Sequence, residues 1–173
     1  ARWAYRLIGT YHTSHVTVDF MSKAADQLRQ TGRDTLAAYA DLKVHDEAGH
    51  DLLALKDLEA LGYDAQALVN AVMPPTARDL ILYFKSCLTN DPPIETIAYA
   101  YAIERLCVAI GKEYFEEVTA TLPAGLQATR LLMVHSSFGA DADHIYDAIN
   151  LVASLTGPER ARVARAVFEA TCI

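Results

Sequence analysis

Cysteine, glycine and tryptophan are scarce in this chain of 173 residues, which has three cysteines, eight glycines, one tryptophan and six prolines. The cysteines, Cys87, Cys107 and Cys172, are odd in number and lack the spacing of a metal site. Each sits in apolar sequence and reads as a small buried hydrophobe, which points to a reducing cytoplasm. No uncharged run reaches about 18 residues, so no segment is expected to span a membrane. Basic clusters are missing too. With 22 acidic against 15 basic side chains the formal charge is -7, and a nucleic-acid partner is excluded. Hydrophobic residues make up 52% and charged residues 21%, which excludes intrinsic disorder. The length suits a single helical domain, 1–173, with one continuous core.

Punctuation is sparse and falls at intervals: Thr31-Gly32, Gly62, Pro74-Pro75, Pro92-Pro93, Pro123 and Gly157-Pro158. Between these marks the apolar residues recur at helical spacing. Helices are expected over 3–29, 34–61, 64–72, 76–89, 94–121, 124–155 and 158–172, with a break near Gly139 in the sixth. Asp34, Asp64 and Thr76 are expected as N-caps, and Gly62 as a left-handed C-terminal cap. Leu52, Leu55, Leu58 and Leu61 form an apolar stripe. No alternating run is long enough for a strand, and there is no repeat or flexible linker. The fold class is all-α, a bundle of about six or seven helices.

Four places carry polar groups that an apolar helix core would avoid. Glu47-Ala48-Gly49-His50 puts a carboxylate and an imidazole three apart, on one face of a helix, where they can share a ligand. An oxygen and a nitrogen donor together suit iron or manganese, and Gly49 leaves room for a close neighbour. Glu104 lies in the apolar stretch 97–110, accompanied only by the charge of Arg105, which points about 100° away around the helix. A buried carboxylate must be protonated, paired with a cation such as a distant arginine, or bound to a metal. Asp141 and His144 repeat the carboxylate–imidazole spacing, with His135 shortly before them. His12, His15 and Asp19 form a fourth group on the first helix. Successive helices thus offer His or Asp, Glu-x-x-His, a lone Glu and Asp-x-x-His. Pointed inward, these groups would build a two-metal carboxylate site.

On these residues the chain resembles the heme-oxygenase-like diiron oxidases and oxygenases, often labelled iron-containing redox enzymes. That family includes an alkene-forming fatty-acid decarboxylase, N-oxygenases and a chlamydial protein of p-aminobenzoate synthesis. The resemblance covers most of the chain and is strongest over 47–62, and the separation of Glu104 from His50 is similar to that in the family. It implies a heme-oxygenase-like bundle, two iron ions (manganese or a mixed pair being the variant), and dioxygen as co-substrate. By the same resemblance Glu47, His50, Glu104, Asp141 and His144 are metal ligands, and a small organic substrate is oxidised in an apolar pocket.

Two departures stand out. Many members carry a histidine where this chain has Ser137, and His135 comes two residues early. On a regular helix His135 would lie about 240° from Asp141 and about 180° from His144. An irregular turn near Ser137-Phe138-Gly139 would be needed to bring it into the site. Some members also have a glutamate on the first helix that is missing here, for which His15 is the nearest stand-in. Tyr99, Tyr101 and Tyr114, expected on the helix of Glu104, read as packing residues. The alternatives are a ferritin-like diiron protein for iron handling or peroxide removal, and a metal-free helical binding module, for which Glu104 would pair with an arginine and His50 would be exposed. Heme binding through His15 and a thiamin-salvage role fit less well, the first lacking a glycine-rich distal helix and the second a cysteine among the polar groups. A homodimer suits the fold but rests on no particular residue.

Overall fold

Leu7, Ile8, Tyr11, Ser14, Thr17, Met21, Ala24, Ala25 and Leu28 recur at spacings of three and four and are all buried. They form the inner stripe of α1 (Arg2–Gln30), the longest helix in the computed structural model of the chain. The structure describes residues 1–136 and 141–173, with backbone alone for 107, 108 and 141–144. Among the described residues there are ten helical segments and no strand. After α1 come α2 (Asp34–Glu47), α3 (His50–Ala60), α4 (Ala65–Ala71), α5 (Pro75–Cys87) and α6 (Thr96–Val108). They are followed by α7 (Lys112–Ala120), α8 (Arg130–Val134), α9 (Asp141–Ser154) and α10 (Gly157–Thr171).

The central helix α1 packs against α2, α3, α4 and α5, while α6 packs against α9 and α10. Two apolar clusters result. One joins Met21, Ala24 and Leu28 of α1 to Leu36 and Ala40 of α2, Phe84 of α5, Ile97 of α6 and Val163 of α10. The other joins Leu7, Ile8 and Tyr11 to Ala54 and Leu58 of α3, Val69 of α4 and Leu131 of α8. Burying a leucine such as Leu7, Leu28 or Leu58 stabilises the fold by about 1.5–3 kcal/mol. Between the clusters the α1 stripe changes character, because Ser14 and Thr17 replace apolar residues there while remaining buried.

Three of the expected long helices are broken. The one expected over 34–61 stops at Glu47 and resumes at His50, because Ala48 is extended (φ -60, ψ 118) and Gly49 is left-handed (φ 84). Gly49 was expected to admit a close neighbour, but a Cβ there would meet nothing within 4 Å. Its contribution is the left-handed backbone, which other L-residues resist. The helix expected over 94–121 ends at Val108, and an extended Gly111 starts α7, so Tyr114 is not on the helix of Glu104. Residues 124–129 are not helical, so the expected sixth helix starts late, at α8, which ends at Val134. Helix is described again in α9, while the break expected near Gly139 lies outside the described residues.

The caps divide as well. Asp64 accepts from Ala67 N as expected, at 3.0 Å, and Gly62 turns left-handed (φ 87) after α3. Asp34 and Thr76 are instead inside their helices, whose N-caps are Arg33 and Pro74. Cys87 is buried, and burial pushes its thiol up to about 11. Cys172 is exposed, contrary to its apolar sequence setting. Among the described residues no helix is long and apolar enough to cross a membrane.

Candidate metal centre

The break between α2 and α3 builds the first half of the site. Glu47 is the last residue of α2 and His50 opens α3, so the pair do not share one continuous helix. The turn through Gly49 nevertheless places His50 Nδ1 3.0 Å from Glu47 Oε2. Both side chains are mostly buried, with 12% of Glu47 and 17% of His50 exposed.

His135 completes a cluster with them. It follows the last residue of α8 with non-helical backbone (φ -92, ψ 60), and its ring meets His50 edge-on with centroids 4.7 Å apart. The regular-helix geometry that would turn it away does not apply, since α8 has already ended. Asp57 of α3, wholly buried, holds the start of α8 by accepting from Leu131 N at 3.1 Å and Arg130 Nη1 at 3.0 Å. One ligand atom from each of Glu47, His50 and His135 lies within 4.8 Å of the others. One carboxylate oxygen and two imidazole nitrogens are a mixed donor set that suits iron or manganese, so the residues present fit the metal that the sequence implies.

Glu104 lies beside this cluster, 2% exposed. Among the described residues it pairs with a lysine, where a metal-free bundle was expected to supply an arginine. Lys43 Nζ is 2.7 Å from Glu104 Oε1, and Lys43 is itself 1% exposed. Sequence reading passed over Lys43, although it stands one helical turn before Glu47 and therefore shares its face. The ammonium also lies 3.4 Å from Asp46 Oδ2 and 5.4 Å from the centroid of the Tyr39 ring. Burial first, then the negative charges of Glu104, Asp147, Asp46 and Glu47, push the Tyr39 hydroxyl well above the ordinary phenol value. It stays protonated at neutral pH.

A cavity of about 40 Å³ joins these groups, with Glu47, Glu104, His135 and Lys43 in its wall. Ser14, Thr17 and Tyr99 line it as well. The Thr17 and Tyr99 hydroxyls are 2.5 Å apart, and Tyr99 also donates to Thr13 O at 3.1 Å. Room for a few water-sized molecules is what such a volume provides.

The remaining candidates are elsewhere. His15 Nδ1 pairs with Asp51 Oδ2 at 2.7 Å and its side chain is 58% exposed, so it does not stand in as a ligand. His12 Nε2 bonds Val72 O at 2.8 Å. Asp141 opens α9 and His144 follows on it, but their side chains lie outside the described residues.

A family model described as iron-containing redox enzyme matches residues 5–173. A crystal structure of a domain of unknown function with a heme oxygenase-like fold, from Shewanella denitrificans OS217, superposes with a TM-score of 0.80. It is 21% identical, with 97% of this chain and 72% of that one covered. Among curated proteins none matches the chain. The all-helical architecture is therefore a heme oxygenase-like fold.

Proposed function

The chain belongs to the iron-containing redox enzymes, and we propose that it is a non-heme diiron enzyme that oxidises a small organic substrate with dioxygen. The observation that carries this reading is the cluster of Glu47, His50 and His135 beside the buried Glu104. Glu47, His50 and His135 would hold one ion, and Glu104, with Asp141 and His144 as the family resemblance implies, would hold a second. Iron, when bound, supplies the redox chemistry that dioxygen activation requires.

The chain's own residues supply the rest. Gly49 sets the angle between Glu47 and His50, and Asp57 positions His135 by fixing α8. Ser14, Thr17 and Tyr99 line the cavity along with Glu47, Glu104 and His135 and would limit the water that reaches it. The small cavity admits dioxygen-sized molecules, so a substrate would enter as neighbouring side chains yield. A reducing cytoplasm suits both Fe(II) and the free thiols of Cys87 and Cys172.

Oxygen uptake tests the proposal. Protein loaded with Fe(II) under anaerobic conditions and freed of excess metal is mixed with aerated buffer, alone and with a panel of small acids and amines. Uptake in proportion to bound iron, lost in His50→Ala, supports the reading. Uptake no greater than that of His50→Ala treated identically would overturn it.

A further inference from the structure

Lys43 is among the most buried side chains of the molecule. An ammonium is not tolerated at such depth without a counter-charge, and Lys43 finds one in Glu104, at 2.7 Å. The carboxylate is equally buried, so the requirement runs both ways: Glu104 keeps its charge there only beside a cation. The cation that Lys43 brings to it is covalently part of α2. That same helix carries Glu47 one turn later, on the same side of the cavity.

We propose that Lys43 is a built-in competitor for the second metal ion. Its ammonium fills at Glu104 the charge-balancing place that a second divalent cation would take. This deepens the metal-site reading and rests on it. Glu47, His50 and His135 can take a first ion without moving Lys43, since none of the three is its ion-pair partner. A second ion at Glu104 has to displace the ammonium.

Asp46 makes that displacement feasible. Its Oδ2 already lies 3.4 Å from Lys43 Nζ, and its side chain is 16% exposed. A lysine is a point charge on a flexible four-carbon stem. A small rotation would exchange Glu104 for Asp46 as the partner and keep the charge paired throughout. The Tyr39 ring, 5.4 Å from the ammonium, adds a cation–π contact where it now lies. The two metal positions are therefore unequal by construction, and one side chain sets the difference.

Equilibrium titration of the metal-free protein with Mn(II), read by electron paramagnetic resonance of the free ion, tests this. The wild-type protein should bind one ion tightly and a second at least about tenfold more weakly. Lys43→Met removes the charge and keeps the stem, and should strengthen the second ion by about tenfold or more while leaving the first nearly unchanged. Lys43→Arg keeps a cation and should leave the second ion weak. Asp46→Asn removes the alternative partner and should weaken the second ion further, which provides a separate handle if Lys43→Met does not fold.

A second ion whose affinity is unchanged or lower in folded Lys43→Met overturns the proposal. So does an unchanged second ion in Asp46→Asn. One ion bound by both the wild type and Lys43→Met would also defeat it, yet leave the first metal position standing. No Mn(II) bound by either folded protein would defeat the metal reading itself.

Discussion

His135 is the residue on which the proposed metal position depends most, because among the described residues it brings the end of α8 to the Glu47–His50 pair. Truncating it removes one of three donors, and His135→Ala should weaken Fe(II) or Mn(II) binding by about tenfold or more, as measured against a competing chelator. Gly49 acts one step back. Its left-handed backbone (φ 84) would cost another residue about 1–2 kcal/mol, although the space around it is open. Gly49→Ala should therefore lower stability by that amount in denaturant unfolding, and should weaken metal binding by spoiling the approach of Glu47 to His50. At this scale the sequence was partly legible. Glu-x-x-His was readable as a pair, but the glycine between them read as a gap for a neighbour, since a positive φ leaves no separate mark in the sequence. Lys43 was missed for a different reason: lysine is normally solvated, and only the packed structure reveals one buried against Glu104.

Helix α8 is five residues long and cannot stand without help. Asp57 supplies it through Leu131 N and Arg130. Asp57→Ala leaves a buried N–H without this acceptor, so it should cost about 1–3 kcal/mol and also loosen metal binding by freeing His135, a coupling that a purely structural role elsewhere would not produce. At the other end of the bundle, Arg162 ties α10 to the start of α6, with bonds of 2.6 and 2.8 Å to Glu95 and one of 2.9 Å to Pro92 O. Burial pushes the Glu95 carboxyl up, but hydrogen bonds from Arg162, the backbone and Asn90, with the charge of Arg162, together outweigh it and hold the carboxyl below its ordinary value. A carboxylate depressed in the folded state stabilises above its unfolded value and loses that contribution as pH falls through the folded value. Urea unfolding against pH should thus show an acid loss that Arg162→Ala makes smaller. Helix existence was readable from apolar spacing, whereas the breaks at 48–49 and 109–111 were not, because each falls inside one expected helix, and the sixth helix starts six residues later than Pro123 suggested.

The site occupies the seam between the two apolar clusters, where Ser14 and Thr17 interrupt the inner stripe of α1 and where α2 ends and α3 begins. Metal bound there, as proposed, would link α2, α3 and the end of α8. At an ion concentration of about 100 times Kd it should stabilise the fold by about 2.7 kcal/mol, which for a chain of this size raises Tm by roughly 5–10 °C, and a chelator should reverse the shift. The all-α bundle was legible from helix spacing, and its heme oxygenase-like form from the family resemblance carried by the candidate ligands. The partition into two clusters was not, since it depends on which faces α1 gives to α3 and which to α6. The measurement closest to the central claim is iron content per chain after anaerobic reconstitution with Fe(II), for the wild type beside His135→Ala. The account predicts at least one iron per wild-type chain and a clear loss in the variant. Wild-type protein without stoichiometric iron, or equal iron in both, would contradict it.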